Sequence, residues 1–187
     1  MNRSLVRWKA VLAGAIGLLA LGALGACATA PRSVEGKADI EKDAAVALAK
    51  AQKTDPTLVN IFNKSAGYAV FPSVGKAGAG VGGAYGKGVL YEGGVVVGYC
   101  DLSQATLGLQ LGAQSYTQII AFETTEAVET FKQGRFGFDA QATAVGLKSG
   151  VGANTQFNNG VAVFVMDEAG LMLEASVGGQ KFSYQGK

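Results

Sequence analysis

The chain has 187 residues, with 28 glycines, 3 prolines, 2 cysteines and no histidine. Without histidine there is no Ser-His-Asp or Cys-His nucleophile system, and the commonest metal ligand is missing. A net charge of +2 with 16% charged residues gives no footprint for a nucleic-acid binder, which needs a clustered basic excess.

Residues 1–26 read as a signal peptide. Arg3, Arg7 and Lys9 form a basic start, followed by an uncharged apolar stretch from Ala10 to Ala26. That stretch is short for a membrane span of roughly 20 strongly apolar residues, and it carries four glycines. It ends in Leu24-Gly25-Ala26-Cys27, which resembles the lipobox of bacterial lipoproteins. The resemblance implies cleavage before Cys27 and a diacylglycerol and N-acyl group on that cysteine. Ala28-Thr29-Ala30 offers an alternative cleavage site of A-x-A type. By the same resemblance, Ala28 rather than Asp after the cysteine implies sorting to the outer membrane, lipid-anchored on its periplasmic face. Removal of residues 1–26 takes three basic residues from 16 and no acid from 14, which leaves 13 against 14. The weak basicity therefore belongs to the targeting segment.

Residues 27–37 read as the acylated cysteine and a tether, and 38–187 as a single domain. Asp39 to Gln52 predicts a helix with Ile40, Ala44, Ala47, Leu48 and Ala51 on one stripe. Asp55-Pro56 predicts the start of a second helix with Leu58, Ile61 and Phe62 on its apolar face. From Tyr68 the pattern alternates. A short strand to Phe71 is expected to end at Pro72. Ala77–Tyr85 and Val89–Tyr91 are expected to form a hairpin turning at Gly86-Lys87-Gly88.

Val95–Cys100 and Thr106–Phe122 read as strands, the second bending near Gly112-Ala113. Thr125–Gln133 predicts a short helix with a Thr cap and Gly134 as its stop. Phe136–Leu147 alternates. Val161–Met166 and Leu171–Ser176 suggest a closing hairpin across Asp167-Glu168-Ala169-Gly170, and Lys181–Tyr184 a last edge. The expected class is α+β, mostly β: a curled or barrel-like antiparallel sheet with N-terminal helices and one short helix in the second half.

Gly78-Ala79-Gly80-Val81-Gly82-Gly83 fits G-x-G-x-x-G by letter, but no helix opens after it, so a dinucleotide site lacks its context. In a strand, Gly78, Gly80, Gly82, Ala84, Gly86 and Gly88 share one face almost free of side chains. Such a face suits the close approach of a backbone, a helix or a flat ligand. With Cys27 acylated, Cys100 is left as a buried small hydrophobe. No carboxylate pair or metal-ligand spacing stands out, so neither an enzyme nor a metal site is expected, and no cofactor beyond the acyl groups on Cys27.

Ala66-Gly67-Tyr68-Ala69-Val70-Phe71-Pro72-Ser73-Val74 and Gly83-Ala84-Tyr85-Gly86-Lys87-Gly88 resemble blocks of the SYLF domain family. So do Gly98-Tyr99-Cys100-Asp101-Leu102-Ser103, Gly108–Gln114 and Gln118–Phe122. The resemblance runs from about Asp39 to Tyr184. It implies phospholipid binding, with phosphoinositides and actin regulation in eukaryotic members. A periplasmic address would separate this chain from actin. Lys76, Tyr85, Lys87 and Tyr91, which flank the glycine strand, are the lipid-binding candidates. The leading expectation is a non-catalytic phospholipid-binding lipoprotein of the outer membrane. The alternative is a structural lipoprotein that binds another envelope protein through its glycine face.

Overall fold

The computed structural model describes residues 33–138, 143–167 and 174–187. The signal peptide, Cys27, Asp139 and the Glu168-Ala169-Gly170 turn lie outside the described residues.

Helix α1 spans Val34–Thr54. It begins inside the segment that reads as a tether, because the Ser33 side chain accepts a hydrogen bond from the Gly36 amide at 3.0 Å and caps it. Its buried residues are Ala44, Ala47 and Ala51, with Ile40 and Leu48 partly buried beside them, which is the stripe expected from the spacing. Small side chains let the helix axis lie close to the sheet. Helix α2, Leu58–Lys64, buries Leu58, Ile61 and Phe62.

Strands β1 (Gly67–Glu92) and β2 (Val95–Phe122) form one long antiparallel hairpin. Its turn is Gly93-Gly94, with φ of +56° and +78°, the two consecutive left-handed positions that a two-residue turn requires. The turn expected at Gly86-Lys87-Gly88 does not exist. Those residues are extended and pair with Leu102, Asp101 and Cys100. Pro72 does not end the strand either, since a register shift between Phe71 and Val74 accommodates it; proline, lacking an N–H, is tolerated at such irregularities. A second shift lies where Gly78 pairs with Gly112 and Gly80 with Gly108, beside the bend expected at Gly112-Ala113.

Helix α3, Thr125–Lys132, has the Thr124 side chain as its cap and Gly134 at φ +66° just beyond it. Strands β3 (Thr143–Gly146), β4 (Val161–Asp167), β5 (Glu174–Ser176) and β6 (Lys181–Gly186) complete the sheet, with the one-turn helix α4 (Val151–Asn154) between β3 and β4.

Among the described residues the sheet runs β1-β2-β4-β3-β5, with β6 on β2. The α+β, mostly β class holds, and the sheet is not closed into a barrel. It is mixed rather than antiparallel throughout, because β3 pairs parallel to β4. The hairpin expected between the β4 and β5 segments is replaced by β3 lying between them. Period-two alternation marks a strand but carries no information about its neighbour.

The sheet has a core on each face. On one, Val70, Val89 and Tyr99 pack with the alanines of α1 and the apolar residues of α2. On the other, Phe71, Val74, Leu90 and Leu102 pack with Val128 and Phe131 of α3 and with Phe182 of β6.

Candidate functional site

Strand β1 bends so that its first arm packs over its last. A Cβ on Gly86 would come within 2.9 Å of Val74 Cγ2 and 3.0 Å of the Ser73 carbonyl oxygen. A Cβ on Gly88 would come within 2.7 Å of both Phe71 Cδ1 and the Val70 carbonyl oxygen. At these two positions the glycine face is therefore covered by the chain itself. Gly78, Gly80 and Gly82 lie further along β1, opposite Gly112, Gly108 and Thr106 of β2.

The bend leaves a cleft of about 580 Å³ between α1 and the two arms of β1. Helix α1 contributes Ile40, Asp43, Val46, Ala47 and Lys50; β1 contributes Pro72, Ser73, Gly75 and the run Tyr85-Gly86-Lys87. Thr117 of β2 closes the wall, its hydroxyl donating to the Pro72 carbonyl at 2.9 Å. Val46 is 61% exposed, so an apolar side chain lines the same cleft as Lys50 and Lys87.

Tyr85 and Lys87 share a face of β1, with Asp101 directly across from Lys87 on β2. The Tyr85 hydroxyl donates to Asp101 Oδ1 at 3.1 Å, and the Ser183 hydroxyl donates to Oδ2 at 3.3 Å. Burial, reinforced by the Asp101 charge and this hydrogen bond, pushes Tyr85 up to about 12. It stays a neutral phenol across the physiological range.

Of the other candidates, Lys76 follows Gly75 on β1 and pairs in register with Gln114. Tyr91 points into the core instead. It is 7% exposed and stacks on Tyr68 with centroids 5.1 Å apart. Cys100 is fully buried, and burial, followed by the neighbouring Asp101 charge, pushes its thiol well above the ordinary range. A thiol held neutral is a poor nucleophile.

Two fastenings set the geometry of the cleft. The Tyr99 hydroxyl donates to Glu41 Oε1 at 2.5 Å, Lys187 pairs with the same oxygen at 2.9 Å, and the Lys37 ammonium sits 4.7 Å from the centre of the Tyr99 ring. These contacts hold α1 on β2. Below it, the buried Asp55 carboxylate accepts from the Thr57 amide at 3.0 Å, the Thr57 hydroxyl at 2.6 Å and the Gly152 amide at 2.6 Å. The sequence reads Asp55 as the N-cap of α2 with Pro56 as its first residue, but the helix opens later, at Leu58 with Thr57 as its N-cap. Asp55 instead reaches Gly152, which lies in a distant segment and gave no local signal.

Among the described residues no group of three or more His, Cys, Asp or Glu side chains could hold a metal ion. Among the same residues no helix is long and apolar enough to cross a membrane.

Comparison with known proteins bears on this geometry. Residues 103–186 match the family model described as Ysc84, Las17-binding protein actin regulator. This bears out the SYLF resemblance. The matched segment runs from within β2 to the end of β6. Beta cell expansion factor A of Aeromonas veronii is 26% identical over 157 residues, which covers 79% of this chain and 57% of that protein. The chain thus spans little more than half the length of that relative. The SYLF match supports a lipid-binding or interaction domain, and SYLF is not known as an enzyme family.

Proposed function

With the SYLF match over residues 103–186 as premise, we propose that this chain is an outer-membrane lipoprotein whose domain binds phospholipid headgroups without catalysis. Cys27 carries the acyl anchor, and the domain faces the periplasm. The observation that supports this most directly is the cleft between α1 and β1, which Lys50, Lys87 and Tyr85 line together with the exposed Val46. Ammonium groups attract a headgroup phosphate, and a neighbouring apolar surface suits the start of an acyl chain. Two or more acyl groups give a lasting anchor. They also hold the domain at high effective concentration beside the bilayer, so weak headgroup affinity is enough.

Vesicle flotation of residues 28–187, which hold every described element, separates the domain from its anchor. The domain is expected to float with phosphatidylglycerol vesicles and to release at high salt. A Lys50→Glu/Lys87→Glu variant is expected to stay at the bottom. Flotation of that variant at the wild-type level would exclude the cleft as the contact. For the anchor, Cys27→Ala in the full chain is expected to accumulate as uncleaved precursor, and normal maturation would refute the lipoprotein reading. The alternative, an envelope protein bound through the glycine face, would have to use Gly78, Gly80 and Gly82, because Gly86 and Gly88 are already packed.

A further inference from the structure

We propose that a second cleft, between α4, the loop after it and the β3–β4 pair, binds a neutral saccharide. The cleft holds about 1020 Å³ and shares no lining residue with the one between α1 and β1. This is the size of a site for a ligand of a few rings.

Its floor is apolar. Phe136 and Phe138 meet edge to face with centroids 5.1 Å apart, and Val145 is 43% exposed beside them. Phe136 also packs on Phe122, Phe131 and Phe182, so the floor is backed by the core and is rigid. A surface made of two half-buried aromatic rings and the exposed Val145 suits the C–H face of a sugar ring.

Its rim is polar and, Lys148 aside, uncharged among the described residues. Asn154, Gln156, Asn158 and Asn159 are exposed along it. Each amide offers both a donor and an acceptor, the combination that vicinal hydroxyls require. The rim is held in place by backbone. The Asn158 amide donates to the Val161 carbonyl at 2.8 Å, the Val161 amide returns the bond at 3.1 Å, and Asn159 and Gly160 take φ of +51° and +78° in the turn between them.

Charge and topology narrow the ligand class. Lys148 is the only charged side chain among the described lining residues, too little for a polyanion. A peptide added as an extra strand has little edge to join among the described residues: β4 pairs along its length with β2, and at Phe164 and Val165 with β3, which leaves only the short Val161–Val163 stretch.

Saturation-transfer NMR on the full chain, in a sugar-free detergent, tests this with chitotetraose, maltotetraose and a neutral N-acetylated tetrapeptide amide as probes. At least one saccharide is expected to give signal. Gln156→Ala/Asn158→Ala should weaken it about tenfold, the loss of one or two neutral hydrogen bonds. Lys148→Ala should leave it within about twofold, since charge takes no part. Unchanged binding by the amide variant, signal from the peptide alone, or no signal from either saccharide at millimolar concentration would each overturn the proposal. Because the mutated side chains are exposed, an unchanged thermal melt separates a lost site from a lost fold.

Discussion

Gly88 lies against Phe71 at a distance that leaves no room for a side chain: a Cβ there would sit 2.7 Å from Phe71 Cδ1 and 2.7 Å from the Val70 carbonyl oxygen. The two residues belong to the same strand. Their approach bends β1 back on itself, which in turn opens the cleft beneath α1. The glycine content of this stretch is thus tied to shape rather than to flexibility.

Gly88→Ala is accordingly expected to destabilise the domain by about 1–3 kcal/mol, the range for forcing a methyl group into a packed site. Gly75→Ala is the control, because its Cβ would meet only the Tyr85 carbonyl at 3.9 Å, an ordinary contact. Urea unfolding midpoints of the two variants check this. Equal midpoints would mean that the arms of β1 do not pack as described.

Asp55 predicts an acid-side dependence. Burial by itself raises its pKa, but the hydrogen bonds from Gly152 and Thr57 outweigh burial and bring it below the ordinary value of 3.8. A depressed folded-state pKa gives stability that is fully present above the unfolded value and lost as pH falls through the folded one. Stability should therefore drop below about pH 4 as this carboxylate protonates. Asp55→Ala should cost about 3 kcal/mol at neutral pH, since it strands the buried Gly152 amide and removes bonds to a charged acceptor. Asp55→Asn should flatten the acid limb. Urea titrations from pH 3 to 7, compared between wild type and Asp55→Asn, measure the difference directly.

Particular residues show which features were legible in the sequence. Helix α3 could be read because its signals are local: Thr124 caps it and Gly134 stops it at a left-handed φ. The alanine stripe of α1 was visible for the same reason. The choice of turn was not. Gly86-Lys87-Gly88 and Gly93-Gly94 look alike in one dimension, and what separates them is the approach of Phe71 and Val74 to the first group. The insertion of β3 between β4 and β5 is likewise a matter of long-range pairing. Within the candidate site, Tyr85 and Lys87 could be picked because they alternate on one strand face. Lys50 and Val46 could not, because only the docking of α1 brings them there. Tyr91 shared the same strand pattern as Tyr85, yet the stack with Tyr68 takes it into the core.

The tyrosines predict a linked loss of stability at high pH. Tyr85, Tyr91, Tyr99 and Tyr116 are each pushed from 10.0 up to about 12, chiefly by burial, with the Asp101 charge adding at Tyr85 and the Glu41 hydrogen bond at Tyr99. A raised folded-state pKa gives stability that is intact below the unfolded value and lost as pH rises through the folded one. The domain should hold to about pH 10 and lose stability between there and pH 12. Absorbance titration at the phenolate band is expected to show these groups ionising together with unfolding. Ionisation of all tyrosines near pH 10 in a still-folded protein would contradict the burial. Tyr99→Phe should also loosen α1, at a cost of about 1–2 kcal/mol for a hydrogen bond to a charged group.

Gln118 and Gln180 exchange two amide hydrogen bonds in the core, Gln118 Nε2 to Gln180 Oε1 at 2.8 Å and Gln180 Nε2 to Gln118 Oε1 at 3.1 Å. They are 0% and 1% exposed, so neither amide has water as a substitute. The pair ties β2 to the turn that precedes β6, and Gln180 also bonds Tyr116. Replacing one partner leaves the other buried without its match, which costs more than the net value of the bonds themselves. Gln118→Leu is therefore expected to destabilise by about 2 kcal/mol. In the double variant Gln118→Leu/Gln180→Leu both stranded amides are gone, and only the Tyr116 hydroxyl loses a partner. The double variant should cost less than the sum of the single ones, with a coupling of about 1–2 kcal/mol. A double-mutant cycle by urea unfolding measures that coupling. Additivity within about 0.5 kcal/mol would show that the two amides act independently, and would remove this pair from the contacts that hold β6 to the sheet.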